Sequence, residues 1–267
     1  MTSSHNIHLK SPEEIELIRE SSILVSDTLA HVAAHVKPGV KTVYLDKIAE
    51  EFIRDNGAIP GFLNYGGFPA TLCISPNDQV VHGIPNSYEL KDGDIVSIDC
   101  GVLKNSYYGD SAYTFSVGEV GDSVKKLMNV TKDCLSRAIS QVRVGNRIGD
   151  IGAAVQLHAE SNGFAVVRDL VGHGLGRRLH EKPEVPNYGR QGTGIKLQEG
   201  MVIAIEPMIN AGNNHKVRFW DDGWTVTTVD GSLSAHYEHT VAVTKNGVEV
   251  LSSFEEIEKV LQKKNIF

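Results

Sequence analysis

Cysteine is scarce in this chain: Cys73, Cys100 and Cys134 are the only three, with no CxxC and no close pair. An odd, sparse set excludes a disulfide framework and points to a reducing compartment. No stretch approaches the ~18 consecutive apolar residues that a membrane span needs. Met1–Lys10 lacks a basic segment followed by an apolar one, so no secretory leader is expected and the cytoplasm is the expected location. Positive charge is in deficit, with 26 Lys and Arg against 33 Asp and Glu and a net charge of -7. A surface built to neutralise phosphates needs the opposite balance, so neither nucleic acid nor membrane is an expected partner. Several chemistries lack their motif. There is no GxxxxGK[ST], and no GxSxG for a serine hydrolase elbow. Gly172–Arg177 lacks the third glycine of a dinucleotide loop. His31 and His35 have i, i+4 spacing, but no Glu follows His31, so HExxH is absent and the pair reads as surface residues. No Pro- or Ser-rich linker interrupts the chain, so residues 1–267 are expected to form one domain. With 41% hydrophobic residues it can bury a large core.

What is present is a sentence written twice. Ser11-Pro12-Glu13-Glu14 opens a helix: Ser11 caps, Pro12 takes the first helical position, and Glu14 completes a capping box. Ile15, Ile18, Val25, Leu29, Val32 and Val36 follow at helical spacing until Lys37-Pro38-Gly39. A second helix is predicted from Thr42 to Asp55, ended by Asn56-Gly57. Val36-Lys-Pro-Gly39 returns as Val142-Arg-Val-Gly145, and Asn56-Gly57 as Asn162-Gly163, at an offset of 106. Leu90–Asp99 returns as Leu197–Glu206 at 107. Val81-His82-Gly83-Ile84 is matched to Gly172-His173-Gly174-Leu175. Two related α+β halves sharing one sheet, with a site at their seam, are the expected architecture.

Both halves carry a carboxylate where a buried strand should not. Ile95–Asp99 and Met201–Glu206 are apolar strands ending in an acid, and the residue two before it is small, Ser97 or Ala204. Asp99 and Asp110 lie symmetrically about Lys104-Asn105, so an unbulged hairpin turning there would make them direct cross-strand partners. Two anions so placed repel unless a cation intervenes. Ala235–Thr244 reads as one strand carrying Glu238 on the face of Thr240 and Ala242. A single strand-end acid is usually a solvated one; four in duplicated positions point to metal. His173, between glycines that permit close backbone approach, is the expected nitrogen ligand. His82 and His180 flank the set and can donate protons or hydrogen bonds. An oxygen-rich set with one imidazole suits Mn, Fe, Co or Zn, and shared carboxylates suit two ions about 3.5–4 Å apart.

Asp99, Asp110, His173, Glu206 and Glu238, with Val-Val-His82-Gly-Ile-Pro, Gly-His173-Gly-Leu-Gly-Arg, Ile-Glu206-Pro-Met and Tyr-Glu238-His-Thr, resemble type I methionine aminopeptidase from about Ser11 to Phe254. The resemblance implies the α+β pita-bread fold, two pseudo-twofold halves around a di-metal site. It implies removal of the initiator methionine when the next residue is small, by a monomer acting on nascent N-termini at the ribosome. It implies two divalent ions (Co, Mn, Fe or Zn) on the five ligands and a metal-bridging hydroxide as nucleophile. Glu206 would shuttle its proton, with His82 at the scissile amide and His180 at the carbonyl oxygen. Tyr65, Cys73 and Trp224 match methionine-pocket positions, and apolar, sulfur-tolerant walls suit a thioether. This chain departs from the family pattern at Gly66 (often His), Leu179 (commonly Phe) and His236 (usually Gln). Prolidase and aminopeptidase P relatives share the ligand set but usually carry a large N-terminal domain. A catalytically dead binding protein on the same fold would be expected to lose ligands, and all five are kept.

Overall fold

The computed structural model describes residues 7–263; the first six residues, which the leader reading includes, lie outside that range. The capping box forms as expected. Ser11 Oγ accepts from Glu14 N–H, and Glu14 accepts from Ser11 N–H. The first half runs α1 (Pro12–Ala33), α2 (Thr42–Asp55), β1 (Ile59–Pro60), β2 (Leu72–Pro76), β3 (Gln79–Val81), β4 (Ile95–Lys104) and β5 (Tyr107–Ser116). The second runs α3 (Asp122–Ile139), α4 (Ile148–Ser161), β6 (Ala165–Val166), β7 (Gly172–Gly174), β8 (Glu181–Val185), β9 (Val202–Ile205) and β10 (Met208–Asn210). It continues through β11 (Val217–Phe219), β12 (Val226–Thr228), β13 (Ser234–His236), β14 (His239–Thr244), β15 (Gly247–Val250) and α5 (Glu255–Lys263). Helix α1 stops a turn before Lys37-Pro38: Ala34 is its last capping residue, and His35 and Val36 close on carbonyls of the final turn. Among the described residues no helix is long and apolar enough to cross a membrane.

The duplication is written in backbone hydrogen bonds. α2 and α4 begin and end 106 residues apart. Gly39 N–H donates to Leu90 C=O, and Gly145 N–H to Leu197 C=O. Thr42 N–H donates to Tyr88 C=O, and Ile148 N–H to Ile195 C=O. The bridges Lys41–Glu89 and Arg147–Lys196 repeat too. Gly39, Gly57 and Gly93 and their counterparts Gly145, Gly163 and Gly200 all have positive φ, a region that glycine enters without a Cβ penalty.

The two halves share only a small sheet, β11-β12-β3, in which β3 of the first half pairs with β12 of the second; the strands that carry the carboxylates lie in separate sheets. β4 pairs with β1, β2 and β5, whereas β9 lies in a five-stranded sheet ordered β15-β14-β9-β7-β8. The predicted Ala235–Thr244 strand is split at Tyr237-Glu238, so that β13 pairs with β10 and β14 with β9. Between β5 and the Tyr237-Glu238 break, side-chain hydroxyls and single backbone bonds cross the seam in place of a ladder. Ser111 Oγ donates to Glu238 C=O (2.6 Å), Thr240 Oγ1 to Asp110 C=O (2.7 Å) and Thr114 Oγ1 to His236 C=O (2.7 Å). Glu238 N–H donates to Ala112 C=O. One large apolar cluster runs from Leu29 and Ile53 through Ile98 and Phe115 to Ile151, Ile203 and Ile257, spanning both halves.

Candidate metal centre and active site

The carboxylates arrive from matching places. Asp99 lies in β4 and Asp110 in β5; Glu206 follows β9 and Glu238 precedes β14. The expected direct pairing of Asp99 with Asp110 does not occur: Asp99 faces Ala112, and Asp110 faces Gly101. The turn is one residue later than Lys104-Asn105. Asn105 and Ser106 both take left-handed φ (51° and 66°), as a tight two-residue hairpin loop requires. Moving the turn by one residue shifts the register by two, so both side chains keep the same face and become diagonal neighbours.

His173 sits in β7 because its neighbours are glycines. A Cβ on Gly172 would lie 2.4 Å from Ala204 C=O, and one on Gly174 2.4 Å from Lys182 C=O. His173 Nδ1–H donates to Gly174 C=O (2.9 Å). That leaves the Nε2 lone pair facing Asp110 Oδ2 at 3.7 Å and Glu206 Oε1 at 3.6 Å. Asp110, His173 and Glu238 are buried, with donor atoms within 4.8 Å of one another. Asp99 Oδ1, Asp110 Oδ1 and Glu238 Oε1 are buried with no hydrogen-bond partner among the described residues. Burial drives all four carboxyls upward: Asp99 to about 7, and Asp110, Glu206 and Glu238 well above the usual range, with mutual repulsion adding to the last three. Burial holds His173 neutral, its pKa pushed down to about 3. Oxygens that are orphaned, crowded and driven toward protonation, beside a neutral imidazole aimed among them, fit divalent cations.

His82 is not the structural counterpart of His173. β7 meets β9 as β2 meets β4, which places Ser75, opposite Ser97, where His173 stands near Ala204. The His-Gly strings fall short of the 106–107 repeat, and their likeness is local. His82 instead follows β3 with φ 58°, and burial pushes its pKa down to about 4. The exposed His180 stands against His173 (ring centroids 4.2 Å) and is hydrogen-bonded through Nδ1 to Tyr65 OH (2.9 Å).

One cavity collects every candidate site residue read from the sequence: the five candidate ligands, His82, His180, Tyr65, Cys73 and Trp224. Phe62 and Phe68 also line it, and sequence reasoning misses both. Phe62 packs where a Cβ on Gly101 would come within 2.4 Å of its ring, and Phe68 stands edge-on to Trp224. Gly101, the one glycine of β4, is the signal that points to Phe62. Leu179 is buried with Phe62, Phe68 and Cys73, so it belongs to the pocket wall. Gly66 has positive φ, and its Cβ position lies 3.4 Å from the Trp224 ring. His31 and His35 are not plain surface residues: His31 stacks on Phe52, and His35 bonds the His31 carbonyl. The three cysteines are buried and free.

The sequence profile of Metallopeptidase family M24 matches residues 16–245. The methionine aminopeptidase of Clostridium perfringens (strain 13 / Type A) is 54% identical over 246 residues, covering 92% of this chain and 98% of that one. The chain belongs to metallopeptidase family M24 and, within it, to the type I methionine aminopeptidases. The crystal structure of the Rickettsia prowazekii methionine aminopeptidase superposes with a TM-score of 0.92 at 46% identity, covering 93% of this chain and all of that one. The prolidase from Pyrococcus furiosus has a TM-score of 0.73 at 21% identity, covering 92% of this chain and 65% of that one, a likeness of fold alone. Membership of the family implies divalent metal in the carboxylate cluster.

Proposed function

We propose that this chain, acting as one catalytic domain in the cytoplasm, removes the initiator methionine from nascent polypeptides whose second residue is small. We assign two divalent ions to Asp99, Asp110, His173, Glu206 and Glu238. The observation that carries the reading is the joining, in one cavity, of those five side chains with an apolar, sulfur-bearing wall. Bound there, divalent cations lower the pKa of water and polarise a carbonyl. The protein's own groups do the rest. Phe62, Phe68, Cys73, Leu179 and Trp224 take the thioether side chain and exclude water from it. Glu206, which lines the cavity with the other carboxylates, accepts a proton and delivers it to the leaving amine. His82, kept neutral by burial, steadies the scissile amide, and His180, oriented by the Tyr65 hydroxyl, donates toward the carbonyl oxygen. Asn187 Nδ2 donates to Glu206 C=O (3.0 Å) and anchors the backbone under the carboxylate.

The test is cleavage of Met-Ala-Ser beside Xaa-Pro peptides, with Mn, Co, Fe and Zn added singly to metal-free protein. Release of methionine from Met-Ala-Ser, with little turnover of Xaa-Pro, is the expected result. Preference for Xaa-Pro substrates would overturn the assignment in favour of the prolidase activity.

A further inference from the structure

Two imidazoles face the Glu206 carboxylate, one at each oxygen. His173 Nε2 lies 3.6 Å from Oε1, and His236 Nε2 lies 3.8 Å from Oε2. Their polarity differs. His173 has committed its proton to Gly174 C=O through Nδ1, so Nε2 presents a lone pair to Oε1 and attracts it only across a cation. His236 has made no such commitment. Neither of its ring nitrogens has a hydrogen-bond partner among the described residues, and the residue is 1% exposed. A neutral imidazole carries one N–H, and Nε2 is free to hold it.

The ring's place is fixed by its backbone. His236 N–H donates to Thr114 Oγ1 (2.9 Å), whose own proton goes to His236 C=O, while β13 pairs with β10 at Met208. The described residues lining the cavity include Glu206 but not His236. The imidazole therefore stands behind the carboxylate rather than among the groups open to a bound ion or substrate. An unpartnered polar group buried this deeply destabilises the fold, and buried polar groups in folded proteins nearly always have a partner. Glu206 Oε2 is the charged atom in reach, and a closure of about 0.8 Å brings N···O to ordinary hydrogen-bond length.

We propose that His236 is a positioning residue for the reaction: its Nε2–H donates to Glu206 Oε2 and fixes the plane of that carboxylate. This rests on the reading of Glu206 as proton carrier and metal ligand. With Oε2 held from behind, Oε1 stays turned toward His173, Asp110 and the cavity. A carboxylate free to rotate would spend part of its time with neither oxygen so aimed.

The test compares the wild type with His236→Leu, which keeps bulk but removes the donor, and His236→Gln, which restores an N–H at similar reach. Three measurements are made on each: kinetics on Met-Ala-Ser at saturating Mn(II), calorimetric titration of metal-free protein with Mn(II), and thermal melting with chelator. His236→Leu is expected to lower kcat by about 10–100-fold. KM is expected to change less than about twofold, because the apolar wall is untouched. The number of ions bound should be unchanged, with Mn(II) affinity about tenfold weaker. Its metal-free form should melt near the wild-type temperature, since loss of the Nε2–H bond is offset by removal of Nδ1, which has no partner among the described residues. His236→Gln should recover most of kcat and affinity. An unaltered kcat and Mn(II) affinity in His236→Leu would make the ring a bystander and overturn the proposal. Loss of one bound ion would make it a ligand. A lower metal-free melting temperature together with failure of the Gln variant to recover would make its role structural. If the wild type binds Mn(II) but does not cleave Met-Ala-Ser, the functional reading fails by itself, and the affinity comparison still decides the role of His236.

Discussion

Replacing Asp99 with Asn should make the metal-free protein more stable and the metal-loaded protein less so. The carboxyl of Asp99 is raised to about 7 by burial, against 3.8 when unperturbed. A folded pKa above the unfolded one means that the folded state holds the proton more tightly. Stability is therefore fully present below about pH 4 and is lost as pH rises to about 7. Three pH units correspond to about 4 kcal/mol by linkage. Mutual coupling among four carboxyls and the amide's own burial reduce what Asn recovers, so a gain of about 2–4 kcal/mol at pH 8 is the working figure. For a chain of this size that is a rise of roughly 5–15 °C in melting temperature. At pH 4 the gain should vanish, because both proteins are then neutral at this position. With Mn(II) the order should invert, since a charge-assisted contact to the ion is lost. Calorimetric melting of both proteins, with chelator and with Mn(II), at pH 4, 6 and 8, reads all of this. A metal-free variant that melts at or below the wild type at pH 8 would refute the argument that these carboxylates strain the fold until a cation joins them.

His82→Asn keeps a residue type that tolerates the left-handed φ of 58° while removing the imidazole; kcat on Met-Ala-Ser should fall roughly 10²-fold with the metal content unchanged by elemental analysis. Leu179→Phe adds bulk to the wall formed with Phe62, Phe68 and Cys73. Turnover of peptides beginning with a residue one methylene longer than Met should drop by about 10-fold or more, within the 1–3 kcal/mol such a group is worth, while Met cleavage stays nearly intact; equal rejection by the wild type would disprove it. Asp46 accepts from Thr71 and Leu72 N–H beneath the segment carrying Cys73, and burial pushes its pKa up to about 6. The stability it confers in the neutral form is lost as pH rises from about 4 to 6, so the difference in unfolding free energy between wild type and Asp46→Asn should change by about 3 kcal/mol across that window, measured by denaturant titration.

Much of the site is legible in the sequence because its signals are local. A charge closing an apolar strand is anomalous on its own, and Asp99 and Glu206 repeat the anomaly at the same step of a duplication. Helix ends at Ser11-Pro12 and Asn56-Gly57 follow from capping and left-handed backbone, which neighbouring residues decide. The sequence misleads where distant partners decide. Whether the β4–β5 hairpin turns at Lys104-Asn105 or Asn105-Ser106 depends on which pair can bear two left-handed residues under the twist of long strands. The shared face of Asp99 and Asp110 holds in either case only because a two-residue slip preserves it. The break at Tyr237-Glu238 is set by Asp110, Ser111 and Ala112 across the seam, about 130 residues away in sequence for the Asp110–Thr240 bond. Phe62 and Phe68 stay hidden because one aromatic looks like another until the space beside Gly101 and Trp224 is known.

The two halves are joined by hydroxyl bridges at the seam, by the β3–β12 ladder and by a short connection, residues 117–121, whose outer part is exposed. Helices α1 and α5 lie packed together, with Ser253 N–H donating to Ser26 Oγ. A chain cut within that connection, with α5 linked to the segment leading into α1, would meet the same contacts in the opposite order. Which half is translated first is therefore a matter of ancestry rather than of architecture: the carboxylates are brought together by the docking of two similar bodies, and a circular permutant opened at Glu119–Gly121 should assemble the same centre.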